Sequence, residues 1–311
     1  MKKITLILTI VFVWSNSIVF AQLNDSLKVE NKKISIIPMP VLAANPTTGL
    51  IYGIAPGITW TNGSSENTSM SNFLGTLLYT SKKQLFFQVR GNTFLKGDSW
   101  ILTTDIRYNL NSQPTYGLGS DPVFSDHTIV GSSQNVSDDL FNGPKENEMM
   151  SFNHFRFYQT ILKRHEKTRF FYGLGYHLDL MTKIIDHELN LSSTPQILTY
   201  HYQYQNSKGL PIDKYTQSGL SLNLSFDSRD NVANPYSGML AFASLRLNPT
   251  FLGSSSGSSN IWLEYRNYFK LNRARPRNML AFWAYGNFVT GGKVPYMFLP
   301  ASGWDMFGRS A

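Results

Sequence analysis

The chain has no cysteine, and only 15% of its residues are charged, where a soluble chain usually carries about a quarter. The first absence excludes disulfides and thiolate metal sites. The second is hard to reconcile with an ordinary water-facing surface. After roughly the first twenty residues no apolar run reaches the ~18 needed for a transmembrane helix. No glycine-rich loop follows a strand and opens a helix, so a nucleotide-phosphate cradle is excluded. His127, His165, His187 and His201 fall in loops or turns without metal-ligand spacing. No metal and no cofactor is expected.

Aromatic residues and a two-residue beat stand out instead. Aromatics make up 14% of the chain, with 16 tyrosines and 21 phenylalanines. Between residues 260 and 271, Asn260, Trp262, Glu264, Arg266, Tyr268 and Lys270 alternate with Ile261, Leu263, Tyr265, Phe269 and Leu271. Elsewhere Gln88, Arg90 and Asn92 oppose Phe87 and Val89, and Asp105 and Arg107 oppose Ile106 and Tyr108. His154, Arg156 and Tyr158 oppose Phe155 and Phe157, and His177 and Asp179 oppose Tyr176, Leu178 and Leu180. Ser221, Asn223 and Ser225 oppose Leu220, Leu222 and Leu224, and Ser244, Arg246 and Asn248 oppose Ala243, Leu245 and Leu247. Strands of about ten residues with ionisable groups on one flank and apolar groups on the other suit a tilted crossing of a hydrocarbon layer. The pattern predicts an all-β, transmembrane antiparallel barrel whose polar lumen holds Arg90, Asp105, Arg107, His154, Arg156, His177, Asp179, Arg246, Glu264 and Arg266.

The N-terminus reads as an address. Lys2 and Lys3 precede an apolar stretch from Ile4 to Val13, and Val19-Phe20-Ala21 suits a cleavage site, so residues 1–21 are expected to be a signal peptide. A membrane anchor is the competing reading. Residues 22–33 form a short polar segment too small for a periplasmic domain, and 34–311 are expected to be the barrel domain. Export followed by barrel strands implies a Gram-negative outer membrane.

Connection lengths give a second test, because outer-membrane barrels place short turns on the periplasmic side and long loops outside. Asn111 to Met149 and Lys183 to Ser218 read as long, while Lys96 to Asp98 and His165 to Thr168 read as short. Counting in this way gives about eleven strands, the first at Ile34 to Ala43, with edges good to a few residues. Pro38 and Pro40 weaken that first strand. Gly253 to Ser259 reads as a flexible outer loop.

Charged and histidine clusters admit several chemistries. Asp227, Arg229 and Asp230 fit either an ion network at the periplasmic rim or a set of turn-stabilising contacts. His177 with Asp179 would need a serine in reach to act in hydrolysis, and no serine stands out beside them. No catalytic residues are assigned and no enzyme is expected. The net charge of +8 is spread over lumen faces and turns, with Arg273, Arg275 and Arg277 the one cluster. A nucleic-acid groove is therefore not expected, and that cluster suits anionic lipid headgroups or solvent.

Asp227-Ser228-Arg229-Asp230 followed by Asn234-Pro235-Tyr236-Ser237-Gly238 resembles the turn motif of the BamA/TamA family, the bacterial surface antigen or outer-membrane protein 85 superfamily. Pro38 to Leu50 is similar to the start of barrel-only members. Gly303, Trp304, Gly308 and Arg309 resemble the approach to the family's long sixth extracellular loop, with Gly308-Arg309 in reverse order to the family's Arg-Gly pair. The resemblance covers roughly residues 34 to 311. It implies a barrel of about sixteen strands, with this chain stopping within or before that loop. It further implies insertion, assembly or translocation of proteins at the outer membrane, with membrane lipids, unfolded clients and assembly lipoproteins as partners and no cofactor. A passive pore or surface antigen that keeps the scaffold is the alternative.

Overall fold

A computed structural model describes residues 34–45, 48–63, 67–115, 149–194, 196–232, 234–272 and 278–300. The expected signal peptide, the polar segment after it, His127, the arginines at 273, 275 and 277, and Gly303, Trp304, Gly308 and Arg309 lie outside the described residues. Contacts divide the chain into Met1–Ser35 and Ile36–Ala311, and it is the second unit that builds the sheet.

The architecture is all-β. Thirteen strands form one sheet: β1 (Ile34–Ile37), β2 (Pro40–Asn45), β3 (Gly49–Ile54), β4 (Gly57–Trp60), β5 (Ser71–Thr80), β6 (Leu85–Phe94), β7 (Trp100–Pro114), β8 (Met149–Arg164), β9 (Phe170–Asp186), β10 (Tyr215–Asp227), β11 (Gly238–Asn248), β12 (Ser258–Lys270) and β13 (Met279–Gly292). From β5 to β13 each strand pairs antiparallel with the next in sequence. β3 and β4 both pair with β5 and are separated by Ala55-Pro56, and Pro38-Met39 separates β1 from β2. Proline has no N–H to give a ladder, so each of these strands is cut in two. Backbone bonds span the gaps, from Ala55 N to the Met39 oxygen at 2.7 Å and from Gly75 N to the Pro56 oxygen at 2.9 Å. Thirteen segments thus occupy eleven positions across the sheet.

Burial is inverted relative to a water-soluble sheet. On β10, Leu220, Leu222 and Leu224 are 54, 58 and 63% exposed, while Ser221 and Asn223 are each 2% exposed. The same holds on β9, where Leu174 is exposed and Asp179 is buried, and on β7, where Tyr108 is exposed and Asp105 and Arg107 are buried. Leaving rows of leucine in water forfeits about 1.5–3 kcal/mol for each side chain, so this flank belongs against acyl chains. No second sheet covers it among the described residues. Trp100, Phe170 and Phe269 are exposed at the end with short turns, and Tyr52, Tyr79 and Tyr108 toward the other, an arrangement suited to two interfaces. No described helix is long and apolar enough to cross a membrane.

The sheet curls about its polar face. Gln88 on β6 and Asn287 on β13, far apart in strand order, line one cavity of about 350 Å³. Arg246 on β11 reaches Tyr158 on β8, with Nη1 2.7 Å from the phenolic oxygen. This sheet is the wall of a barrel, with its charged flank inward.

Connections at one end are short, with residues 95–99 joining β6 to β7 and 165–169 joining β8 to β9. At the other end are 115–148 and 187–214, together with the short connection 81–84 between β5 and β6. The long segment expected from Lys183 to Ser218 is shorter and more ordered than the alternation suggested. β9 runs to Asp186, β10 resumes at Tyr215, and between them lies a helix, α1 (Tyr200–Lys208). Thr199 caps its start by accepting from the Tyr202 N–H at 3.3 Å, and Gly209 ends it with φ 65°, matching the usual helix-end chemistry. Gly253 to Ser259, expected to be flexible, is pinned. Ser254 Oγ donates to the Ser218 oxygen at 2.8 Å and accepts from its N–H at 2.9 Å, and Ser256 Oγ donates to the Lys293 oxygen at 2.6 Å. Serine hydroxyls here replace the ladder that the loop lacks.

Candidate functional site

The lumen face and its mouth beside α1 hold the chemistry. At the centre is Asp179, 1% exposed. Its Oδ1 accepts from Arg156 Nε at 2.7 Å and lies 3.0 Å from His154 Nε2. Its Oδ2 accepts from the Tyr158 hydroxyl and from Arg246 Nη1 at 3.3 Å. Arg246 also donates through Nε to Asn248 at 2.6 Å and through Nη2 to the carbonyls of His177 and Gln217. One carboxylate therefore ties together β8, β9 and β11, crossing β10 without bonding to it.

Two further groups share the flank. Asp105 takes Arg107 through Nε at 2.7 Å and Nη2 at 2.6 Å, with Arg90 Nε 3.7 Å away. Glu264 Oε1 accepts from Arg266 Nε at 2.5 Å and from Trp283 Nε1 at 3.1 Å. The ten ionisable residues named from alternation thus fall into separate clusters rather than one network.

His177 makes a contact that the sequence did not disclose: its Nε2 lies 2.8 Å from Ser221 Oγ. The expectation that no serine stands beside this histidine is therefore corrected. The register places Gly219 opposite His177 and Gly175 opposite Ser221. Gly175 is needed, since a Cβ there would lie 2.5 Å from Ser221 Oγ and 2.8 Å from His177 Nε2. His177 Nδ1 is buried with no hydrogen bond to orient the ring, and Asn223 Nδ2 donates to Ser221 Oγ at 2.8 Å. The His177–Ser221 contact joins β9 to β10.

At the end of the sheet away from α1, Asp227 receives Arg229 through backbone N at 3.1 Å, Nε at 3.0 Å and Nη2 at 2.7 Å. Arg229 Nη1 donates to the Val232 oxygen at 3.1 Å. Asp230 Oδ1 accepts the N–H groups of Tyr236 and Ser237 at 2.9 and 3.2 Å. Burial works to raise the Asp230 carboxyl, but these bonds, the Ser237 hydroxyl and nearby Lys270 outweigh it and hold the group below the usual range. Pro235 lies inside this turn, and Gly238 closes it with φ 97°, where a Cβ would meet the Ser228 oxygen at 2.3 Å. These contacts are made within the turn itself, apart from one reach to Lys270 at 3.8 Å.

The mouth carries a feature with no counterpart in the alternation. Met150, Phe152, Met181, Ile184, Tyr204, Leu210, Tyr215, Tyr296 and Met297 form a buried apolar cluster joining three strand ends, α1 and the segment after β13. A bulge prepares it. The register shifts between Ser151 and Asn153, and Lys183 takes φ 52°, so Ile184 turns inward. Tyr204 donates to the Val294 oxygen at 2.8 Å, the Tyr296 N–H to Gln205 at 3.1 Å, and Lys293 Nζ to the Lys208 oxygen at 2.7 Å. Val294, Met297, Phe298, Leu299 and Pro300 line the same cavity as Arg107, Arg156, Asp179 and Arg246. The segment after β13 thus borders the cavity, with α1 packed against it as a cap.

His201 is sealed in this cap at 0% exposure, 3.8 Å from Asp186 and against the rings of Tyr215 and Tyr296. Burial pushes its imidazole down to about 4. An undocked histidine titrates near 6.5, so the docked cap fails to take up a proton between about pH 6.5 and 4, and stability is lost as pH falls through that window, on the order of 3 kcal/mol in all. Asp186, at the extra-membrane end of β9, is raised by burial and acts in the opposite sense. Amides of α1 are expected to exchange hydrogen faster at pH 5 than at pH 7.5, after correction for intrinsic rates, and His201→Phe is expected to remove most of that difference. Equal protection at both pH values in the wild-type chain would refute this.

No protein-family model and no curated protein matches the chain. Among solved structures it is similar to the crystal structure of BamA from Haemophilus ducreyi lacking POTRA domains 1-3, with 17% sequence identity and a TM-score of 0.46. The likeness covers 88% of this chain, which spans 45% of that one. The barrel reading rests on the sheet's own inverted burial.

Proposed function

We propose that the chain is an outer-membrane β-barrel of Gram-negative type that takes part in inserting or translocating other proteins, as BamA/TamA-type barrels do. The single observation supporting a membrane wall is the exposure of Leu220, Leu222 and Leu224 beside buried Ser221 and Asn223. Support for the assembly role is narrower. It comes from the Asp227 to Gly238 turn motif. In such barrels a client strand bonds through its main chain, and at the first strand position Pro38 and Pro40 remove two donors and weaken that pairing. The wall meets membrane lipids, and unfolded outer-membrane proteins and assembly lipoproteins are its proposed partners.

Depleting the protein from its host is expected to lower the levels of several unrelated outer-membrane proteins. If those levels hold while reconstituted protein leaks small solutes, the alternative of a passive pore takes its place.

A further inference from the structure

One stretch of the lumen breaks the polar rule. Residues directly opposite in an antiparallel pair share a face, and the register sets Trp262 against Asn287, Glu264 against Tyr285 and Arg266 against Trp283. Trp262, Tyr285 and Trp283 therefore stand on the charged, inward flank, while Leu263, Tyr265 and Phe282 take the lipid side. The rings run in series. Trp262 stacks on Tyr285 at 5.4 Å and 21°, Tyr285 meets Trp283 at 5.3 Å, and the Arg266 guanidinium lies 5.0 Å over Trp283. Trp283 and Tyr285 keep 37 and 50% of their surface exposed. Amphipathic aromatics belong at membrane interfaces or cores, and neither accounts for ring faces turned toward water in a lumen.

We infer that this strip is a binding track for a neutral oligosaccharide. Flat indole and phenol faces take the C–H faces of a pyranose ring, and Trp283 and Tyr285 keep surface free to offer them. Planar polar groups suited to paired hydroxyls border the rings: the Glu264 carboxylate, the Arg266 guanidinium and the carboxamides of Asn260 and Asn287. Glu264 and Arg266 neutralise one another, which selects an uncharged ligand over an anionic one. The strip leads through Asn260 and Asn287 into the capped cavity of about 350 Å³, at the low end of small-ligand sites. A peptide is the competing occupant that the test must separate, since peptides are held by strand edges and Trp283 and Tyr285 stand on β13, the last strand of the sheet among the described residues. The inference needs only the lumen geometry and holds whether or not the barrel handles proteins.

The test is calorimetric titration of the full chain, folded in detergent, with cellohexaose, maltohexaose and an uncharged hexapeptide. At least one sugar is expected to bind. Trp283→Ala should weaken it at least tenfold, Trp283→Phe should restore most of it, and Phe282→Ala on the lipid side should leave it unchanged. Should Trp283→Ala fail to fold, as read by heat-modifiable mobility, Tyr285→Ala and a sugar-induced blue shift of the wild-type tryptophan emission take its place. Absence of sugar binding, binding indifferent to Trp283 and Tyr285, or tryptophan-dependent binding of the hexapeptide alone would each overturn the inference.

Discussion

Asp179→Ala is expected to be the most damaging single change in the lumen wall. The carboxylate is 1% exposed and takes both Arg156 and Arg246, besides the Tyr158 hydroxyl and the neighbouring His154. Without it, two guanidinium groups stand close together on one stretch of wall with no counter-charge. Removing one partner of a buried ion pair typically costs about 3–5 kcal/mol, because the surviving charge is left desolvated. Most of that loss is expected here, read as a lower urea midpoint for protein folded into lipid vesicles. Asp179→Asn should fall between, since its carbonyl oxygen still accepts a hydrogen bond while the charge is gone. The companion change Arg246→Met should be milder, because Arg156 still neutralises the aspartate. A midpoint for Asp179→Ala within experimental error of wild type would mean that water reaches the cluster and screens it, and that the lumen is open at this level.

That cluster was only partly legible in the sequence. Alternation places His154, Arg156, His177, Asp179 and Arg246 on one flank because a strand's side chains point to opposite faces with period two. It does not say which of them meet. Arg246 reaches Asp179 and Tyr158 only because the sheet curls, and curvature leaves no local trace. Ser221 was likewise placed on the polar flank but not beside His177, since that contact depends on the β9 to β10 register. The cap was harder still. Tyr200-His201-Tyr202-Gln203-Tyr204-Gln205 has the beat of a strand yet forms α1, because Thr199 and Gly209 supply helix ends and Tyr204 finds its burial partners far away in sequence, at Tyr296 and Val294. At Lys183 the bulge moves the inward parity from Met181 to Ile184, so a strictly periodic reading fails where the strands leave the membrane.

Leu222→Arg decides which medium the apolar flank was built for. Leu222 lies near the middle of β10, 58% exposed, between Leu220 and Leu224. If that flank faced water, an arginine in its place would change stability by no more than about 0.5 kcal/mol, as surface substitutions usually do, and would improve solubility. If it faces acyl chains, the charge must be carried to the mid-depth of the bilayer, at about 2–4 kcal/mol. The substitution is therefore expected to lower the urea midpoint in vesicles and the yield of inserted protein. Leu222→Met, apolar and close in volume, should cost less than ~1.5 kcal/mol. Leu271→Arg supplies an internal gauge, because Leu271 lies just past the end of β12, where the depth penalty falls to about 0–1 kcal/mol. A graded loss from Leu271 to Leu222 would measure the lipid flank directly. Equal and negligible costs at both positions would leave the inverted burial without a membrane to explain it.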